Sequence, residues 1–472
     1  MYDLVIRNGR VVDHASGTDR YADLAVEGGR IAAVEDEISA PTRSVVEADG
    51  CYVLPGLVDL HVHLDTGYGG DAGHAMLARA GVTTALDLGT PSAADVFALA
   101  DRYGTGLTIA CVVRLVPGLH LPAAPSRGEI RAAFHRVLAD GALGVKIHVD
   151  SGWSVESAAA IAETAHEMGV WLAVHCGTTS AGSDIEGLRQ TVAYLDGGPA
   201  HIAHVNSYCR GELGTPEDEA REAVALLRGS PRLFAESYLA EINGNVADCE
   251  NGLPKVARVA EWLAGGGYPG TEEGLRAAIL DGWAAIPLRD GDRTVPLSGP
   301  AAVRAWEEAG THTGLCLPLN PAASRVPLVG SKNAGGAFDV AAIATDGGGI
   351  PRNVTVRAGL SLVELGALSL KEFVQKASWT PARTLGLENK GTLAAGADAD
   401  VAVVDRVSKS VVTTVAAGHV VYHRGTVIPR RPRLLTTGRA TAAELADATR
   451  TDPAASGLYT GAGRREQGSE AA

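Results

Sequence analysis

The chain has 472 residues, 46% of them apolar and 20% charged, an ordinary globular balance that excludes a disordered or fibrous protein. A formal charge of −14 with a pI near 5.5 speaks against nucleic acid as a partner, because a phosphate-binding face needs clustered Lys and Arg. Six dilute cysteines without CxxC spacing, no apolar run near the ~18 residues of a membrane span and no secretory core at the N-terminus lead to the expectation of a cytoplasmic protein with free thiols and no membrane partner.

In chain order, residues 1–54 alternate in short apolar runs broken by Gly and Asp (YDLVIRNGRVV, ADLAVEGGRIAAV, RSVVEADGCYVL), the pattern of a small antiparallel sheet. Residues 55–384 then carry eight β-rich runs: LVDLHVHLD, TTALDLG, LTIACVVR, GVKIHVD, WLAVHCG, HIAHVNS, LFAESYL and AAIATDG. Helix-like segments such as SAADVFALADRYG and PEDEAREAVALLRG separate most of them, with hydroxyl or acidic residues at their starts. Eight strands alternating with helices predict an α/β fold, a (β/α)8 TIM-like barrel whose site gathers at the strands' C-terminal ends. A long Gly- and Pro-rich insertion at about 240–340 interrupts the series and reads as a lid or binding loop, with plain decoration as the alternative. Residues 385–429 return to the short-strand pattern and are expected to complete a β-sandwich with residues 1–54; the tail from 430 to 472 is expected to be partly mobile, above all its last 15 or so residues.

The stretch LPGLVDLHVHLD places His61 and His63 two apart, so a strand points both imidazoles the same way. Lys146 stands on the fourth run, His175 ends the fifth, His204 lies on the sixth and Asp346 ends the eighth. So many ionisable groups converging on a barrel mouth are costly as filling, and a divalent cation resolves that cost. Imidazole and carboxylate donors suit Zn2+. Lys146 is the odd member, since an ammonium with a reference pKa of about 10.4 repels metals. Its neutral amine would react with CO2 to a carbamate, an anionic ligand able to bridge two ions. His201 is the rival of His204, and His148, sharing a face with Lys146, reads as an outer neighbour or a substrate contact. His74, His135, His166, His312, His419 and His423 lack such company and read as surface or packing residues.

PGLVDLHVHLD, GVKIHVD, VHCG, AHVNS, ATDGG and the closing TPARTLGLENKGTLAAGADADVAVVD together resemble the amidohydrolase superfamily over roughly residues 1–425. The resemblance implies a barrel with a β-sandwich and two divalent ions. His61 and His63 would hold one ion, a carboxylated Lys146 would bridge, His175 and His204 would hold the other, and Asp346 would handle the proton. It also implies hydrolysis of an amide bond in a small carboxylate-bearing molecule, such as an N-acyl amino acid, by a hydroxide bridging the ions; a cyclic amide, as in dihydroorotases and hydantoinases, is the alternative. HIAHVNS and FAESYLAEINGN are most similar to N-acyl-D-amino-acid deacylases and isoaspartyl dipeptidases. Thr90 stands where those deacylases place a metal-binding cysteine, and Gly347 stands where dihydroorotases often carry a His. Deamination, ester or lactone hydrolysis and a noncatalytic assembly role rank lower. Tyr238, Arg210 and Arg352 are the candidates for holding the substrate, joined by Asn206 and His148, because Arg suits a carboxylate through paired hydrogen bonds. A homo-oligomer is expected.

Overall fold

The computed structural model describes residues 1–65, 69–177, 183–457 and 459. The eight runs form parallel strands β1 (Leu57–His63), β2 (Val82–Asp87), β3 (Thr108–Arg114), β4 (Gly144–His148), β5 (Trp171–His175), β6 (Ala200–Ile202), β7 (Leu233–Tyr238) and β8 (Ala342–Ala344), each paired with the next. Just past β8, Gly347 and Gly348 pair with Val62 and His63 of β1 and close the ring. The intervening helices begin where the sequence marks them: the Ser92, Ser126, Ser154 and Thr215 side chains each accept a hydrogen bond from the backbone N–H three residues on. Those caps let each helix return the chain to the strands' N-terminal side, so all strand C-termini share one mouth.

Inside the barrel, Val58, Leu60, Leu86, Val112, Trp171 and Phe234 belong to one apolar cluster, which Leu435 and Tyr459 of the C-terminal segment complete. Arg433 and Leu434 pair in parallel with Thr108 and Ile109 at the start of β3. Tyr459 stacks on Trp171 with ring centroids 5.2 Å apart and accepts the Leu172 N–H at 2.9 Å. These contacts lie at the strands' N-terminal ends, so the C-terminal segment floors the barrel opposite its mouth. Residues 458 and 460–472, which hold nearly all of the stretch expected to be mobile, lie outside the described residues.

Both chain ends build a nine-stranded sheet in which Cys51–Pro55 pairs with Leu4–Val12 on one side and Val401–Asp405 on the other. Cys51–Pro55 runs almost directly into β1, so the sheet anchors the strand that carries His61 and His63.

Between β7 and β8 the insertion is a folded unit. Asn243–Val246 pairs with Gly314–Leu317, and between them come a hairpin (Ile286–Asp290 with Arg293–Leu297) and helices at Ala257–Gly265, Glu272–Asp281 and Pro300–Glu308. Val259, Leu263, Leu275, Ile279, Trp306 and Leu317 form its own core. Trp306 is 1% exposed, and its Nε1–H donates to the Ala247 carbonyl at 3.1 Å. Trp306→Ala should therefore loosen the insertion by about 3–5 kcal/mol. Limited proteolysis checks this: new cuts are expected between Ala247 and Leu317 while the barrel stays protected.

Candidate metal centre

His61 and His63 end β1 and reach the same carboxylate: Asp346 Oδ1 lies 3.4 Å from His61 Nε2 and 2.9 Å from His63 Nε2. The other ring nitrogen of His61, Nδ1, lies 2.7 Å from Glu236 Oε1. That oxygen already accepts the His204 N–H, so it fixes the tautomer as an acceptor, placing the His61 proton on Nδ1 and the lone pair of Nε2 toward Asp346 and Lys146. Burial first, then the Lys146 charge, holds the pKa of His61 well below the ordinary histidine value, so the ring is neutral, the form that ligates metals.

Lys146 Nζ is 3.1 Å from His61 Nε2 and donates to the Leu88 carbonyl at 2.6 Å. Burial lowers its pKa to about 8 against the opposing pull of Asp346, Glu236 and Asp87. Asp346 shows the reverse balance: burial would raise its pKa, but Arg352, His61 and the His63 hydrogen bond outweigh it and hold the carboxyl well below its usual range. Arg352 Nη2 lies 2.8 Å from Asp346 Oδ2, and the pair is almost completely buried.

The sequence placed His204 and Asp346 on strands, yet each sits two residues beyond one, with φ of 36° and 50°. The physical reason is that a continuing strand would keep alternating along the wall, whereas a left-handed residue just past the strand end turns the chain across the mouth. The His204 N–H donates to Glu236 Oε1 at 2.7 Å, which holds this turn. Its ring stacks on His61 at 5.1 Å and meets His175 edge-on at 4.6 Å, while its Nδ1 has no hydrogen-bond partner among the described residues. His201 packs instead between Trp171 and Phe234 in the barrel core.

His175 Nε2 lies 2.5 Å from Ser183 Oγ, and its ring stacks on His148 at 4.1 Å. These groups line a cavity of about 460 Å³, which the insertion walls with Asn243, Arg258 and Trp262. That is the size of a small-molecule site. Arg210 and Arg352 also line it, but two expected substrate contacts do not. Asn206 is fully buried and spends its side-chain oxygen on Ser237 Oγ and the Tyr238 N–H, tying the segment after β6 to β7. Tyr238 is also fully buried; its ring lies under Arg352 at 5.0 Å and its hydroxyl lies 3.1 Å from Asn320 Oδ1 and from Ser207 Oγ. Both residues support the wall and do not form it.

Three acids were not singled out from the sequence. Glu236 serves His61 and His204 together, as described above. Asp59 accepts from Thr345 Oγ1 at 2.6 Å and from the Thr345 and His61 N–H groups, clasping β8 to β1; burial raises its pKa to about 7. Asp150 follows β4 and lies beside His148 and His175. The signal available for Glu236 and Asp59 was an acid inside an otherwise apolar strand run.

A divalent cation fits this donor set, because imidazoles and a carboxylate kept charged converge on one spot and the nearby His204 Nδ1 has no hydrogen-bond partner among the described residues. The Amidohydrolase family pattern matches residues 52–201 and 295–421, more than half of the chain. The chain is similar to a dihydroorotase of Pelobacter propionicus, 29% identical over 470 residues and covering 89% of this chain and 100% of that one. Among solved structures, a D-aminoacylase has a TM-score of 0.65 at 18% identity, covering 92% of this chain and 100% of that one. An L-hydantoinase from Arthrobacter aurescens has a TM-score of 0.55 at 18% identity, covering 92% and 99%. The chain belongs to the amidohydrolase family and is a metal-binding hydrolase of carbon–nitrogen bonds.

Proposed function

We propose that the chain opens a small cyclic amide that carries a carboxylate, in the manner of the dihydroorotase and hydantoinase branches. The observation that carries this reading is the end-to-end similarity to a dihydroorotase, with the His61, His63 and Asp346 cluster presenting His63 and Asp346 to a cavity of small-molecule size. The open-chain N-acyl amino acid moves to second place, since its support is a shared fold at 18% identity.

His61, His63 and Asp346 would hold one ion, His175 and His204 the other, with Lys146 between them as a carbamate and Zn2+ as the metal. A Lys146 pKa near 8 supports the carbamate, because a useful fraction of neutral amine is then present at physiological pH. When bound, the ions supply an activated water at neutral pH and polarise the amide carbonyl. Asp346, held ionised beside Arg352, accepts the proton of the attacking water and passes it to the departing nitrogen.

Arg210 is suited to the substrate carboxylate. Its guanidinium bonds to the neutral oxygens of Asn320 at 3.2 Å and Asn243 at 3.1 Å, and no acid pairs with it among the described residues. Arg258 is already paired with Glu212 and Glu261, and Arg352 with Asp346. Arg210→Met should raise KM for an acidic ring about 10–100-fold, the worth of a charged hydrogen bond, while leaving an uncharged hydantoin nearly unaffected.

The experiment that tests the reading is a panel of dihydroorotate, hydantoins, N-acyl-D-amino acids and β-aspartyl dipeptides offered to the zinc-loaded protein. Ring opening is expected to dominate. Turnover confined to N-acyl amino acids would move the assignment to the open-chain branch.

A further inference from the structure

Arg210 belongs to the barrel, in the segment after β6, yet the insertion between β7 and β8 grips its guanidinium. Nη2 donates to Asn243 Oδ1 at 3.1 Å, Nε donates to Asn320 Oδ1 at 3.2 Å, and the Trp262 ring centroid lies 5.8 Å away. The two asparagines meet for a topological reason. Asn243 opens the insertion's first strand and Asn320 follows the strand Gly314–Leu317, and the antiparallel pairing of those two strands brings both residues to the root of the unit.

Hydrogen bonds fix how each amide points. Asn320 is fully buried, and its Nδ2 donates to the Glu241 carbonyl at 3.0 Å, which leaves Oδ1 for Arg210 and for the Tyr238 hydroxyl at 3.1 Å. Asn243 Oδ1 meets a second guanidinium, Arg352 Nη1 at 3.4 Å, so two cations face one neutral oxygen.

Charge decides what this arrangement can do. Arg352 is paired with Asp346, and Arg258 with Glu212 and Glu261, whereas Arg210 has no acid partner among the described residues. An amide oxygen orients a guanidinium without cancelling its charge; an aspartate of the same shape would form an ion pair and cancel it. A half-buried cation left unpaired costs stability, and an incoming carboxylate removes that cost. Arg210, Asn243 and Arg352 all line the cavity, so the uncompensated charge faces the place where substrate binds.

We propose that Asn243 and Asn320 are positioning residues: they aim Arg210 and keep its charge uncancelled for the substrate's carboxylate, so that the insertion sets the preference for acidic substrates. The proposal rests on the assignment of Arg210 to that carboxylate, and it holds for a cyclic or an open-chain amide alike.

Asn243→Asp is the decisive variant, because it keeps the shape and the acceptor while adding a counter-charge; Asn320 is less suited, since its Nδ2 holds the Glu241 carbonyl. The probe is glutarate, a small dicarboxylate with no amide to cleave, titrated by calorimetry into the zinc-loaded full chain. Any contact between glutarate and metal is common to all variants, so the ratio to wild type reads the arginine. Asn243→Asp should weaken glutarate binding about 10–100-fold, the worth of a charged hydrogen bond, with no loss of thermal stability. In an Arg210→Met background the same change should add little, because Asn243 acts through Arg210. With substrates, the loss should fall on KM, and only for those that bear a carboxylate. Wild-type glutarate affinity in folded Asn243→Asp, or an equal loss with and without Arg210, would overturn the proposal. A wild type that binds no glutarate removes the carboxylate role of Arg210 and this proposal with it; the expected shift in a protein that opens no ring leaves the proposal standing and sinks the proposed activity alone.

Discussion

Asp346→Asn is expected to lower kcat by about 10²–10⁴-fold, the range for removing a positioned proton acceptor. The change keeps the shape of the side chain but removes the charge that His61, His63 and Arg352 all face. It also leaves the Arg352 guanidinium, only 3% exposed, without its counter-charge, which costs about 3–5 kcal/mol of stability. The two effects separate in the double variant Asp346→Asn/Arg352→Met. Its thermal stability should recover most of the loss, because the buried charge is gone, while the rate should not recover. Rate recovery together with stability would show that Asp346 acts only by anchoring Arg352. The sign with pH follows from the depressed pKa of Asp346: its contribution to stability is full above the ordinary carboxylate range and is lost as the pH falls through and below it.

Lys146→Ala is the second large effect, an expected fall of about 10²–10³-fold in kcat, the scale of one electrostatic contributor in a dry site. Lys146 is 1% exposed and wedged between His61 Nε2 and the Leu88 carbonyl, so its removal leaves a narrow space lined by donor atoms. Acetate or propionate should enter that space and restore part of the rate, whereas chloride at equal ionic strength should not. Bicarbonate should also speed reactivation of metal-stripped wild type, since the proposed carbamate needs CO2. An intact mass showing unmodified Lys146 in a fully active sample would falsify the carbamate while leaving the lysine's place in the site unchanged.

Period-two alternation in apolar runs made His61, His63, Lys146 and His175 readable as inward-facing residues near strand ends; in the structure His63, Lys146 and His175 line the cavity, and His61 is buried beside Lys146. His204 and Asp346 were readable as residue types in the right runs, but not in their backbone state. HIAHVNS and AAIATDG look continuous, and only the positive φ at each shows that the strand has already ended. Asn206 and Tyr238, expected as substrate contacts, do not line the cavity: each is buried and serves a neighbour inside the wall, which their residue types at strand ends do not reveal. The insertion's fold was hidden for a different reason: its strands are only two to five residues long, and Asn243–Val246 finds its partner only near the far end of the segment. Local pattern carries no signal for such a pairing.

The claim that joins these residues is that amide hydrolysis here depends on divalent metal held at His61, His63 and Asp346. The most direct measurement is turnover of the best substrate in the panel by protein stripped with a chelator and then reloaded with Zn2+, beside the His61→Asn/His63→Asn variant treated identically. Activity of the wild type should fall to background on stripping and return on reloading, and the folded variant should stay inactive throughout. Undiminished turnover by the stripped wild type, or zinc-restored turnover by the double variant, would contradict the account.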